Sequence, residues 1–247
     1  MGAVGLLRRG LRKLRSARKY PANTVHFLHV GKAAGTQVHQ VVQQVNQSRH
    51  SRKLVVHGHE TELRHVPPGQ DYFFSTRDPA TRFRSGFYSR LRKGQPRLYV
   101  EWSDQERLAF ERFSHANELA EALFAPGKLG SDATAAMRSI RHCSRNLVDW
   151  FKFNGHMFEV RPPVWIVRQE HFAADLDVFL KRIGYEAPAE LARSDNKEAH
   201  ANNYEGIPDL SEKAMTNLRR WYAQDYAFLE LCETWMAQAR SDDADGA

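Results

Sequence analysis

The sequence predicts an α/β fold: a central, mainly parallel sheet flanked by helices, in a single domain with a helical cap region. Three observations carry this. Short apolar, β-branched runs alternate with segments of helical period, the pattern of βα units rather than of hairpins. The first such run ends in a small-residue turn that opens directly into a helix. The chain has 247 residues, 42% of them hydrophobic and 26% charged, enough for one large folded domain, and no stretch of about 18 apolar residues offers a membrane span.

Residues 24–30, rich in β-branched and aromatic side chains, read as the first strand, and residues 35–47 as the helix after it. A second short strand, 54–56, runs into His57-Gly58-His59. The turn former Val66-Pro67-Pro68-Gly69-Gln70 precedes a third strand at 72–76. Asp78-Pro79 then opens a helix as N-cap and first-turn residue, and Phe83, Phe87 and Leu91 repeat every four positions to about Arg92. Residues 104–125 and 132–154 read as largely helical, broken at Ala125-Pro126-Gly127-Lys128, with Leu108, Phe113, Leu119, Leu123, Leu147 and Phe151 at amphipathic apolar positions. Residues 163–168 form another buried strand, and residues 173–183 a helix closed by Gly184. After a polar loop at 193–209, Ser211 and an acidic first turn start the last helices, whose apolar face is Leu218, Trp221, Tyr222, Tyr226 and Leu229. Residues 21–240 are thus the folded domain and 241–247 a disordered tail.

The net charge of +7 suggests nucleic acid until its location is considered. Residues 1–20 hold seven Lys/Arg and no acid, and the remaining 29 basic residues balance 29 acidic ones. No nucleic-acid partner is expected of such a body. Leu7, Leu11 and Leu14 recur at helical spacing among the arginines, so residues 1–20 are either a solvated basic tail or an amphipathic segment making peripheral contact with an anionic membrane. Cys143 and Cys232 are far apart and lack a C-x-x-C spacing, which argues for two buried thiols and a reducing, cytoplasmic setting rather than a disulfide framework or a zinc site.

In a parallel sheet the ligand sits beyond the C-terminal strand ends, where this sequence carries Lys32 after the first strand, His57 and His59 after the second, and Arg77 after the third. The turn Gly31-Lys32-Ala33-Ala34-Gly35-Thr36 is not a Walker loop, since Lys32 precedes the second glycine. It still offers main-chain N–H groups, a helix N-terminus and one lysine to an anion. Ser85 lies about two helical turns beyond the Asp78 cap, within reach of a second anionic group on an extended ligand. Two phosphate sites are implied.

At these residues the sequence resembles the sulfotransferases that use 3'-phosphoadenosine 5'-phosphosulfate (PAPS), particularly the carbohydrate 2-O-sulfotransferase branch. HVGKAAGT is similar to the family's 5'-phosphosulfate loop, with Lys32, Ala33, Ala34, Gly35, Thr36 and Gln37 on the matching positions. STRDPATRFRSGFYSRLRKG matches its more specific 3'-phosphate motif at Arg77, Asp78, Pro79, Arg82, Ser85, Phe87 and Tyr88. VVHGHE resembles the segment that carries the histidine base, and VWIVRQEHFAADLDVFLKRIG a later strand-helix segment. The resemblance spans residues 24–235 and implies a P-loop-like sulfotransferase fold in a bacterial-like soluble member. Gly31 departs from the family's proline, and Ala33 and Gly35 from its hydroxyl residues, which leaves Thr36 as the loop's hydroxyl.

The resemblance implies sulfuryl transfer from PAPS to an acceptor hydroxyl, on a glycan or another small alcohol. His59 is the expected base, with His57 as neighbour or alternate and Glu60 behind them. Lys32 would stabilise the leaving phosphate, and Arg77 and Ser85 would hold the 3'-phosphate. No metal is expected. Arg84, Arg90, Arg92, Lys93 and Arg97 are candidates for an acidic-acceptor groove, Tyr88 for a cleft residue, and the loop around Lys197, His200, Asn202 and Asn203 for a closing segment. His26, His39 and His65 take structural roles. The alternatives are a nucleotide-dependent kinase with a degenerate phosphate loop, and a catalytically silent membrane-associated binding protein.

Overall fold

A computed structural model of the chain describes residues 20–48, 50–96, 98–152, 157–186 and 206–245. The amphipathic reading of residues 1–19, Arg97 and the 193–205 loop lie outside them. The elements in chain order are Thr24–Leu28 (β1), Gly35–Gln47 (α1), Lys53–Val56 (β2), Asp71–Thr76 (β3), Pro79–Leu91 (α2), Asp104–Arg112 (α3), Ala116–Ala122 (α4), Gly127–Ser139 (α5), Met157–Val160 (α6), Ile166–Arg168 (β4), Phe172–Arg182 (α7), Glu212–Trp221 (α8) and Ala223–Asp245 (α9). The chain forms two compact units. One takes the residues up to Thr76 and then those from Trp150 through α7; the other takes Arg77–Asp149 and the two C-terminal helices.

The first unit is a four-stranded sheet in the order β2-β1-β3-β4, every pair parallel, with α1 packed on β2 and α7 on β4. β1 has a neighbour on both edges, and all five of its residues are buried, as its unbroken Thr-Val-His-Phe-Leu run requires. Phe27 packs on Phe73 at 4.9 Å between ring centroids, and Phe73 on Phe179 of α7 at 4.0 Å. α1 buries Val38, Val41, Val42 and Val45, one face at 3.6-residue period. The chain leaves β1 for β2 on one side and returns to β3 on the other. The end of β1 is therefore a topological switch point, the place where open parallel sheets bind ligands.

The second unit is helical. Phe83, Phe87, Phe110, Phe113, Leu119, Met137, Leu218 and Tyr222 are buried in one cluster. Here the expected segmentation changes. The helix expected at 104–125 is broken at Phe113, because the Glu118 carboxylate accepts the Ser114 and His115 N–H groups and starts a new helix. Pro126 does interrupt the helix, but α5 begins immediately at Gly127, whose φ of 66° suits glycine, and stops at Ser139. Leu108 is 60% exposed and lies outside the core. α9 runs to Asp245, through most of the segment expected as a tail. Ser211 caps α8 by accepting the Ala214 N–H, as expected.

Candidate functional site

The turn between β1 and α1 is held in an uncommon conformation. Lys32 and Ala34, neither of them glycine, have φ of 66° and 55°, in the left-handed region. Each costs about 1 kcal/mol or more, and such residues concentrate at ligand clamps. Ala34 is the N-cap of α1 and makes no side-chain cap bond, and the first turn of the helix carries no acid. The amides of Gly35, Thr36 and Gln37 lie at the positive end of the helix. Lys32 is half-buried at the same turn. The Ala34 N–H, expected as an anion donor, donates instead to Gln169 Oε1 at 3.1 Å.

Gly35 explains one departure from the pattern of the family that the sequence resembles. A Cβ there would lie 1.9 Å from Nε2 of His29, so the ring of His29 occupies the space where a hydroxyl residue would begin. His29 also reaches the expected base. Its ring lies 4.0 Å from that of His59, centroid to centroid, and its carbonyl accepts the His59 Nδ1–H at 3.1 Å. A carbonyl accepts only, so His59 carries a proton on Nδ1, and in the neutral ring the lone pair is then on Nε2. The His59 carbonyl in turn accepts the indole N–H of Trp150 at 2.8 Å, which fixes the residue from both sides.

His57 faces a different partner. The side-chain amide of Gln70 donates to the Tyr20 and Pro21 carbonyls, which turns its Oε1 toward His26. His26 Nε2–H donates to that oxygen at 2.6 Å, and His26 Nδ1, 2.8 Å from His57 Nε2, accepts the His57 proton. Burial is the largest influence on His26 and lowers its pKa below 6.5, with Gln70 opposing, so the buried ring stays neutral at pH 7. His26 is thus the core histidine expected from the sequence, and it commits His57 to the tautomer opposite to that of His59. Glu60 is exposed. Among the described residues no three His, Cys, Asp or Glu side chains are arranged to hold a metal ion.

The other expected residues lie in the second unit. Asp78 caps α2 by accepting the Thr81 N–H at 2.8 Å, its second oxygen accepts the Tyr226 hydroxyl at 3.2 Å, and Arg77 Nε donates to Thr81 Oγ1 at 3.0 Å. Ser85 is buried, 4% exposed. Arg82 is a core residue: it donates to the Arg145 carbonyl and lies 3.6 Å from Asp225, which also accepts the Leu147 N–H at 2.7 Å. Arg90 is likewise no groove residue. It is 3% exposed and forms a bidentate pair with Glu106, both bonds 2.7 Å. Tyr88 is buried, and its hydroxyl accepts the Ala116 N–H, so it does not line a cleft. Arg84 pairs with Asp209 at 2.8 Å, and Lys93 with Glu101 at 2.6 Å. Arg92 is exposed.

Sequence reasoning missed His29, Gln70, Ser75 and Gln169. Gln169 had a usable signal, since it directly follows β4 at a C-terminal strand end. Cys143 and Cys232 are free and buried, and among the described residues no helix is long and apolar enough to cross a membrane. No protein-family model matches the chain, and no curated protein matches it.

Proposed function

We propose that this chain is a PAPS-dependent sulfotransferase with a P-loop-like nucleotide site, acting on a hydroxyl, with a glycan as the acceptor class. The observation that carries the reading is the turn after β1. It combines two left-handed non-glycine residues, a lysine and a helix N-terminus at the switch point of a parallel sheet. Beside it, through His29, stands a histidine whose tautomer puts the accepting lone pair on Nε2.

Each residue then has a task. His59 Nε2 takes the proton as the acceptor oxygen attacks sulfur, and the sulfur–oxygen bond to the phosphate breaks on the opposite side. Lys32 and the first-turn amides of α1 meet the charge that grows on the leaving phosphate. The 3'-phosphate role of Arg77, whose Nε donates to Thr81 Oγ1, and of Ser85 rests on the resemblance alone. His57, committed to His26, supports the site rather than acting as first base. Acceptor recognition falls to side chains other than Arg90 and Tyr88, which are spent in the core.

The deciding experiment is thermal-shift binding of PAP, the desulfated product, against ATP with Mg²⁺. PAP at 100 times its Kd should stabilise the protein by about 2.7 kcal/mol, which for a chain of this size is a shift of roughly 5–10 °C. Stabilisation by ATP with Mg²⁺ and not by PAP would replace this reading with a kinase.

A further inference from the structure

We propose that Ser75 and Gln169 together clamp a single peptide unit, Ala33–Ala34, and so hold the β1–α1 turn in its anion-binding form. Ser75 Oγ donates to the Ala33 carbonyl, and Gln169 Oε1 accepts the Ala34 N–H at 3.1 Å. These are the two polar groups of the same peptide plane. Ala34, which closes this unit, and Lys32, one residue before it, are the two left-handed residues of the turn.

The consequence follows from backbone geometry. Rotating the Ala33–Ala34 peptide as a unit changes ψ of Ala33 and φ of Ala34 in opposite senses while leaving the rest of the chain nearly in place. Such a flip takes Ala34 out of the left-handed region and relieves its strain. It also redirects the entry into α1 and the amides of its first turn. The flip breaks both bonds to the clamp. One hydrogen bond falls short of the strain of one left-handed residue, and two exceed it, so both partners are needed and losing either one lets the peptide flip.

The clamp itself is rigidly mounted. Ser75 is fully buried in β3, which pairs with β4 in the register Ser75↔Val167 and Thr76↔Arg168. Gln169 follows at once. The preceding Arg168 is pinned by Asp175 of α7, which is fully buried and accepts the Arg168 backbone N–H at 3.0 Å and its guanidinium at 2.7 and 2.8 Å. A strained turn held by neighbouring strands is preorganised before ligand arrives, which removes an ordering cost from binding. Ser75 and Gln169 are therefore positioning residues, acting through the main chain.

The functional part of this inference rests on the anion-cradle reading above, and the experiment separates the two. Ser75→Ala, Gln169→Leu and Gln169→Glu, the last retaining an acceptor oxygen, are compared with the wild type by hydrogen exchange of the Ala34 amide and by calorimetric binding of PAP and of inorganic pyrophosphate. In the first two variants the Ala34 amide should exchange at least tenfold faster and PAP should bind roughly tenfold more weakly, with the melting cooperativity of the wild type. Gln169→Glu should keep the slow exchange. The double variant should bind scarcely more weakly than either single one, since a peptide flips once. Wild-type affinity in both single variants, or tighter binding in Gln169→Leu because the side chain competes with ligand, overturns the clamp and leaves the PAPS reading intact. A wild type that binds pyrophosphate but not PAP overturns the PAPS reading, and the clamp then stands or falls by the same variants with pyrophosphate. A wild type that binds neither overturns both.

Discussion

On the sulfotransferase reading, position 35 shows how a motif could drift when a neighbour changes with it. The loop lacks a hydroxyl residue there, and the ring of His29 fills the place where one would stand. Placing there the hydroxyl residue of the family that the sequence resembles should therefore do harm. Gly35→Ser should lower turnover at least tenfold by pushing the His29 ring into His59, and Gly35→Ser combined with His29→Ala should recover part of the loss, a coupling that a double-mutant cycle reads directly. The proposed base is tested by His59→Gln. A general base contributes typically about 10²–10⁴-fold, so kcat should fall by that factor while PAP affinity stays within twofold of wild type. His57→Gln should cost less, because its Nε2 is directed to His26. Equal losses in the two variants would remove the distinction drawn from their tautomers.

At the scale of elements, α2 is the part of the chain where one helix serves both a motif and a core. Its spacing was legible: the Asp78 cap, the proline after it and the apolar residues four apart placed the helix within a residue of its end. The use of its arginines was not. Arg90 reads as a surface cation until Glu106 is brought beside it by tertiary folding, and no local pattern announces that pairing. The same limit explains the misdivided helices at 104–154, where the break depends on the Glu118 side chain reaching back to Ser114 and His115. At the site, residue types that stand at strand ends were legible, whereas His29, Gln70 and Ser75 act through partners supplied by other strands. The buried pair gives a prediction at this scale. Removing one partner of such a pair typically costs about 3–5 kcal/mol, so Glu106→Ala should lower the melting temperature by roughly 10 °C. A change under about 2 °C would return Arg90 to the candidates for acceptor recognition.

For the whole molecule, these buried groups combine into a two-stage response to acid. His26 has a folded pKa below its unfolded 6.5, chiefly through burial, so between those values the unfolded chain binds a proton that the native one refuses. Stability must then fall as pH drops below about 6.5 and level off only beneath the folded pKa. Glu106 acts lower. Burial opposes its ionisation, but Arg90 and the Arg141 and Ser103 amides outweigh it and hold its pKa below 4.5. The stability it supplies is complete above 4.5 and disappears as pH falls through its folded value. Asp225 runs the other way: burial, only partly offset by Arg82, raises its pKa above 3.8, so acid relieves rather than aggravates its cost. Because His26 belongs to the sheet unit and Glu106 to the helical one, the stages should be separable by substitution. Melting temperature recorded from pH 7.5 to 3.5 should decline first near pH 6 and again below pH 4.5, about where these two groups take up protons. His26→Asn should flatten the first decline and leave the second, and Glu106→Gln should do the reverse, whatever each variant does to the plateau. A first decline that persists unchanged in His26→Asn would move the neutral-range titration to another group and with it the claim that the His26 ring is held neutral against His57.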